Sequence, residues 1–289
     1  MSDPSKVWFI TGASSGFGRA LAETVLRKGG RAVLVARRAE ELARLASAHP
    51  DRAVAISTDL LDPSQRARAI DRAITAFDRI DILANIAGRG SLGAAEEFSE
   101  TELRAQMEIN FFAAAELTRA ALPHLRTQGA GHILNLTSVG GIISVGGFSA
   151  YCASKYALEG WTEALSDELK PFGIKVTLIE PGNFRTEFAG DVNMRPRQPL
   201  AAYRPFIAPI EEFLYGQNGR QPGDPAKAAA LMIAVVESDN PPLRLLLGQD
   251  GYAAWSSKSK TREAEFAAWH TAAVATAFDD AVFQPIPGA

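Results

Sequence analysis

Three residues have types and spacing suited to proton transfer: Ser138, Tyr151 and Lys155. Ser138 stands at the end of an apolar run, Tyr151 comes thirteen positions on, and Lys155 follows four later. On a helix, residues four apart lie one above the other on one face, so Tyr151 would sit beside an ammonium. A nearby cation favours the phenolate and lowers the tyrosine pKa from about 10. Bringing that pKa to neutrality takes roughly 4 kcal/mol, at about 1.36 per unit. One lysine seldom supplies so much, and a second cation is expected. An oxidised nicotinamide ring would serve, which predicts a nucleotide site upstream.

The upstream chain has the elements for one. Residues 7–10 form a short apolar run suited to a strand buried on both faces. Thr11-Gly12-x3-Gly16-x-Gly18 follows, then a helical stretch over 19–28. Strand, glycine turn and helix together can hold a pyrophosphate at a helix N-terminus. The spacing differs from the common G-x-G-x-x-G fingerprint, and a glycine-rich turn with no ligand is the competing reading. Ser14, Ser15 and Phe17 lie within the turn. A second strand over 32–36 ends at Arg37 and Arg38, where an acidic residue would bind a ribose 2′-hydroxyl. Arginines there suit a 2′-phosphate and favour NADP over NAD, although both could simply be solvated.

The pattern continues as strands over 53–56, 82–84, 133–137, 175–179 and 243–247, with helices over 40–47, 63–77, 102–125, 151–170 and 225–236. This is an α/β chain with a doubly wound parallel sheet and helices on both faces. Asp59 and Leu60 close the third strand, and the Asp59 carboxylate could accept from an adenine amino group. Asp62 is the better cap for the following helix. Asn85, Ala87 and Gly88 follow the fourth strand. Asn110 falls inside a helical run, where asparagine is a poor fit without partners. Pro181 and Gly182 stop the sixth strand.

Segment 183–223 breaks the pattern. Phe184, Phe188, Tyr203, Phe206, Phe213 and Tyr215 make it aromatic. It either folds over the strand ends as a lid or packs as a helical insertion. The tail, 252–278, reads as amphipathic, and Trp255 and Trp269 could edge the pocket. Gly140, Gly141, Gly146 and Gly147 read as a flexible loop and part of the substrate wall.

The 289 residues are 47% hydrophobic and 22% charged, with a net charge of −3 and a pI of about 5.9. That suits a globular chain with a sizeable core and gives no basic excess for nucleic acid or an anionic membrane. The single cysteine, Cys152, excludes an intrachain disulfide, and no Cys/His cluster suggests a metal. The apolar run near the start is too short for a secretory h-region, and no stretch has the length of a membrane span. A cytoplasmic location is expected.

Taken together, these motifs resemble the short-chain dehydrogenases/reductases in their compact form. The likeness rests on the glycine turn, Asn85-x-Ala87-Gly88, Asn110, Ser138, Tyr151-x3-Lys155 and Pro181-Gly182-x3-Thr186, in the family's order over roughly residues 6–248. It implies a single Rossmann-type domain over 1–289, with a cofactor and catalytic core over 6–182 and a substrate lid over 183–223. A last helix and strand over 224–248 and a C-terminal extension over 249–289 complete it. It also implies a seven-stranded sheet of order 3-2-1-4-5-6-7. By the same resemblance Tyr151 is the acid/base, Lys155 lowers its pKa and holds the nicotinamide ribose, and Ser138 binds the substrate oxygen. Asn110 holds a water that links Lys155 to solvent. Gly12, Gly16 and Gly18 line the pyrophosphate, Asp59 faces adenine, Asn85 braces the sheet, and Phe184 and Thr186 lie against the cofactor.

Hydride transfer from the B face of the ring is implied, as is a homo-dimer or homo-tetramer. Ile86 stands where the family has a second asparagine, and Ser15 where some NADP-dependent members have lysine. The expected function is NADP(H)-dependent interconversion of an alcohol with a ketone or aldehyde, on a hydrophobic ketone, terpenoid or steroid-like alcohol. A catalytically silent dinucleotide-binding protein, and a dehydratase or epimerase of the same family, are the alternatives.

Overall fold

The computed structural model describes residues 5–190 and 192–286. Asp191 of the expected lid and Pro287 of the tail lie outside them. Seven strands form one parallel sheet: β1 (Val7–Thr11), β2 (Arg31–Ala36), β3 (Ala53–Ser57), β4 (Ile82–Asn85), β5 (Gly131–Leu136), β6 (Ile174–Pro181) and β7 (Arg244–Leu247). Their order is β3-β2-β1-β4-β5-β6-β7, as expected. The order in which strands are added reverses between β1 and β4. That is the switch point where ligands settle beyond the carboxyl ends of the strands.

The apolar runs are continuous because both sheet faces are covered. Along β1, Trp8 and Ile10 pack to one side with Leu21, Val25 and Leu26 of α1 (Gly16–Arg27), Leu42 of α2 (Ala39–Ser47) and Met232 of α8 (Pro225–Glu237). Val7 and Phe9 pack to the other with Ile70 of α3 (Pro63–Phe77), Leu117 of α5 (Ala113–Gln128) and Leu165 of α6 (Ser149–Leu169). The period-2 alternation of a strand thus divides one hydrophobic run between two cores. Asp62 caps α3, its carboxylate accepting from the Ser64 amide at 2.9 Å.

The expected helix over 102–125 is longer and interrupted. It runs as α4 (Glu100–Met107), a π-turn over Glu108–Phe112, and α5. Asn110 lies in the wide turn, where the regular ladder of helical bonds is broken. Helix α6 begins two residues before Tyr151, so the tyrosine stands in its first turn.

Segment 183–223 contains a helix, α7 (Arg204–Gly216), with short 3₁₀ turns before it. The chain ends in α9 (Gln249–Val274). The tail departs from expectation. Of α9 only Gly251 is buried, and Trp255, Phe266 and Trp269 are exposed. The helix meets the body as far as Arg262, which donates to the Ile142 carbonyl at 3.3 Å and the Tyr156 hydroxyl at 3.1 Å, but its aromatic residues join no core. Among the described residues, no helix is long and apolar enough to cross a membrane.

Candidate active site

The glycine turn is fixed by contacts that exclude side chains. Gly12 (φ 68°) and Gly16 (φ 50°) adopt left-handed backbone. A Cβ on Gly18 would stand 2.3 Å from the Gly12 carbonyl oxygen, so this glycine permits the close turn of α1 under β1. Thr11 ties the turn to the next strand: its hydroxyl accepts from the amides of Ile86 at 2.8 Å and Ala87 at 3.0 Å. The result is an open cradle at the N-terminus of α1, whose orphan amides and dipole favour an anion.

That cradle forms one end of a cleft of about 1060 Å³ along the carboxyl ends of the strands. Ser14, Ser15 and Phe17 line it beside the glycines, and Arg37, Arg38, Asp59 and Leu60 line the end toward β2 and β3. Asp59 Oδ1 accepts from the Leu61 amide at 3.0 Å. Ala87 and Gly88 form the middle, and Pro181, Gly182, Phe184 and Thr186 close the side toward β6. A Cβ on Gly16 would meet the Thr186 side chain at 3.4 Å, so Thr186 reaches across to the turn. Phe184 packs on Phe17 with ring centroids 5.0 Å apart.

Ser138, Tyr151 and Lys155 line the other end of the same cleft. Ser138 follows β5, its hydroxyl accepting from the Gly140 amide at 3.0 Å. Lys155 Nζ donates to the Leu136 carbonyl at 2.8 Å and lies 6.0 Å from the Tyr151 ring centroid. Burial sets the electrostatics. It pushes the Tyr151 phenol above its usual range, while a hydrogen bond with Ser138 acts the other way. It pulls the Lys155 ammonium down to about 8, with Glu159 opposing. The expected lowering of the tyrosine pKa by lysine is therefore not met by the protein groups alone. Desolvation exceeds the hydrogen bond with Ser138, the group that opposes it.

Two expected site residues lie behind the cleft rather than in it. Asn85 is buried, and its amide donates to Asn135 Oδ1 at 2.8 Å and Thr118 Oγ1 at 3.0 Å, joining β4 to β5 and α5. It braces the sheet, as expected of it, and is not among the residues that line the cleft. The Asn110 side chain makes three hydrogen bonds. Its Oδ1 accepts from the Arg89 amide at 3.0 Å, and its Nδ2 donates to the Arg89 carbonyl at 3.0 Å and to Ser154 Oγ at 2.9 Å. Ser154 in turn donates to the Tyr151 carbonyl at 2.7 Å. Asn110 thus ties the π-turn to the helix carrying Tyr151 and Lys155.

The wall of the far end is apolar. Ile143, Val145, Phe188, Val192, Phe213 and Leu214 line it. Phe188 meets Tyr151 edge-on at 5.3 Å between centroids. Of the six aromatics in the 183–223 segment, Phe184, Phe188 and Phe213 line the cleft, while Tyr203, Phe206 and Tyr215 do not. Tyr203 donates to Glu96 at 2.6 Å, and Tyr215 to Asn193 at 3.2 Å. Trp255 and Trp269 stand away from the cleft, and α9 contributes only Asp250 and Ala254. Gly140 alone of the four loop glycines lines it. Gly141 packs on Glu159, Gly146 on Phe206, and Gly147 on Leu92 and Ile207.

One cluster was not anticipated. Glu159, one turn after Lys155 on α6, and Glu180 of β6 are both buried and share the guanidinium of Arg244 from β7. Arg244 also reaches Glu163 at 2.8 Å. Burial, with the facing Glu159 carboxylate, pushes Glu180 up to about 7. Glu159 is also raised by burial. Two carboxylates facing one guanidinium hold a proton more readily than ordinary carboxylates, and Glu180 as an acid can donate to Glu159. No motif spacing announces this cluster, because its three members come from three separate elements.

The profile of the short chain dehydrogenase family matches residues 6–197. The chain is 34% identical over 274 residues to oxidoreductase BOA17 of Botryotinia fuckeliana, covering 94% of this chain and 100% of the relative. It is 32% identical over 245 residues to a 3-ketodihydrosphingosine reductase of Bacteroides thetaiotaomicron, covering 84% and 88%. A crystal structure of a short-chain dehydrogenase from Streptomyces avermitilis superposes with a TM-score of 0.89 at 42% identity, over 94% of this chain and 99% of that one. A Burkholderia phymatum member in complex with NAD (26% identity, TM-score 0.80, 90% and 95% covered) is also similar. So is a metagenomic member in complex with NADP (26%, 0.66, 84% and 96%). This chain belongs to the short-chain dehydrogenase/reductase family of oxidoreductases.

Proposed function

We propose that the protein is an NADP(H)-dependent oxidoreductase that interconverts a hydrophobic alcohol with its ketone or aldehyde. The observation that carries this reading is the convergence of Ser138, Tyr151 and Lys155 in the cleft whose other end is the open glycine cradle. The cradle fits a dinucleotide pyrophosphate, because Gly12, Gly16 and Gly18 line the cleft without side chains and Ser15 makes no side-chain cap to the first amides of α1. When bound there, the nicotinamide supplies the hydride.

The chain's own groups do the rest. Tyr151, kept protonated by burial, donates its proton to the carbonyl oxygen in reduction. Ser138 shares that oxygen as a second donor and holds it in place. Lys155, anchored on Leu136, keeps two further protons for ribose hydroxyls and sets positive charge beside Tyr151. Asn110 and Ser154 position this helix face from behind. Arg37 at the end of β2, with Ala36 rather than an acidic residue before it, supports NADP. Segment 183–223 covers the substrate end, and its phenylalanines support an apolar substrate. The likeness to a 3-ketodihydrosphingosine reductase supports a keto substrate.

Steady-state kinetics on a panel of hydrophobic ketones and small charged oxo acids, each with NADPH and NADH, test the proposal. Expected is kcat/KM at least about tenfold higher with NADPH, as a charge-paired 2′-phosphate would give, and turnover confined to the hydrophobic ketones. Preference for NADH would overturn the cofactor assignment, and equal turnover of oxo acids the substrate assignment.

A further inference from the structure

Arg89 follows the Asn85-Ile86-Ala87-Gly88 stretch and lines the cleft. Its backbone is clamped on both sides. The amide donates to Asn110 Oδ1 at 3.0 Å, and the carbonyl accepts from Asn110 Nδ2 at 3.0 Å and Gln106 Nε2 at 2.9 Å. The half-buried side chain therefore leaves a fixed point. Its Nε is buried and has no hydrogen-bond partner. Among the described residues, no carboxylate lies within ion-pair distance of Arg89 or of Arg37.

The charge that acts on Arg89 is that of Arg37, another cation. Burial and Arg37 together hold the Arg89 guanidinium below its ordinary range. Arg38, by contrast, already has partners: its Nε donates to Ser14 Oγ at 3.1 Å, and its terminal nitrogens meet Glu187 at 3.5 and 3.4 Å. The two arginines adjacent in sequence are thus unequal. The one without a counter-ion lines the same cleft as a third arginine more than fifty positions away. Two guanidiniums that approach across a cleft with no anion between them repel, and a dianion placed there relieves the repulsion. Guanidinium forks match phosphate oxygens in geometry as well as charge.

We propose that Arg89 and Arg37 form the seat of the adenosine 2′-phosphate, and that Arg89 is a specificity-determining residue for NADP(H) over NAD(H). The proposal rests on the cofactor reading above and adds to it a residue outside the β2 end. The part of the cleft toward β2 and β3 carries two acidic side chains: Glu187, which meets Arg38, and Asp59, whose Oδ1 accepts from the Leu61 amide. Arg89 would reach the phosphate from the side of β4 while Arg37 reaches it from β2.

The test is binding alone, without turnover. Adenosine 2′,5′-bisphosphate and 5′-AMP differ only in the 2′-phosphate, and isothermal titration gives the affinity of each for wild type, Arg89→Leu and Arg89→Gln. Expected is a loss of about tenfold or more for the bisphosphate in both variants, the worth of a lost charge-assisted pair. Binding of 5′-AMP should change by less than about twofold, which also shows that the variants are folded. An unchanged bisphosphate affinity would overturn the assignment, and so would an equal loss for both ligands, which would place Arg89 at the 5′-phosphate. Should wild type itself bind both ligands equally, the NADP reading fails. Should wild type prefer the bisphosphate and the variants keep that preference, Arg89 alone is misassigned.

Discussion

Replacing Tyr151 with phenylalanine is expected to lower kcat/KM about 10²- to 10⁴-fold, the usual worth of a positioned general acid, with NADPH affinity nearly unchanged. The change removes one oxygen from a buried ring. The ring keeps its edge contact with Phe188 at 5.3 Å and its place in the first turn of α6. Lys155 stays anchored on the Leu136 carbonyl, so ribose binding has no reason to fail. What is lost is the only phenol lining the cleft among the described residues, and with it the hydrogen bond to Ser138. Ser138 then has no partner able to deliver a proton. Parallel measurement of turnover and of NADPH binding by fluorescence separates the chemical loss from any loss of fold. Turnover within about twofold of wild type would contradict the assignment of Tyr151.

Arg244→Met is expected to destabilise the fold by about 3 kcal/mol, because it strands Glu159 and Glu180 as buried carboxylates without their cation. The side chains of Glu159 and Glu180 are only 5% and 2% exposed. The effect carries a pH signature. Glu180 titrates in the folded chain at about 7, above its ordinary 4.5. The folded state therefore holds more protons than the unfolded chain between those values, and stability falls as pH rises through that window. Loss of Arg244 raises the folded value further and extends the fall to higher pH. Urea denaturation at pH 6 and pH 8 should show a larger deficit for the variant at pH 8. An equal deficit at both would mean that Arg244 acts through packing rather than charge.

The sheet was legible because its inner strands are buried on both faces, so that β1, β2 and β4 read as short apolar runs. Motif spacing likewise brought Ser138, Tyr151 and Lys155 to one cleft with the glycine turn. Local spacing cannot show which way a side chain faces. Asn85 and Asn110 sit among cleft residues in the sequence, yet their amides point into the sheet and onto Arg89. Nor does it show the balance of desolvation against charge, which keeps the Tyr151 phenol protonated beside a lysine.

The clusters that escaped notice, Arg37 with Arg89 and Glu159 with Glu180 and Arg244, are joined by strand order alone. Their members lie on separate βα units, and no window of sequence contains them. The tail was misread for a related reason. Aromatic residues at helical spacing predict a buried face only if another element covers them, and among the described residues Trp255, Phe266 and Trp269 of α9 are exposed.

The central claim is that this cleft transfers a hydride to a hydrophobic carbonyl compound and leaves it as an alcohol. Mass spectrometry of the product formed from such a ketone with NADPH dideuterated at C4 of the ring tests it directly. The account predicts one deuterium on the carbinol carbon of every product molecule, and one cofactor oxidised for each alcohol formed. Substrate conversion with no deuterium in the product and no net oxidation of the cofactor would contradict it.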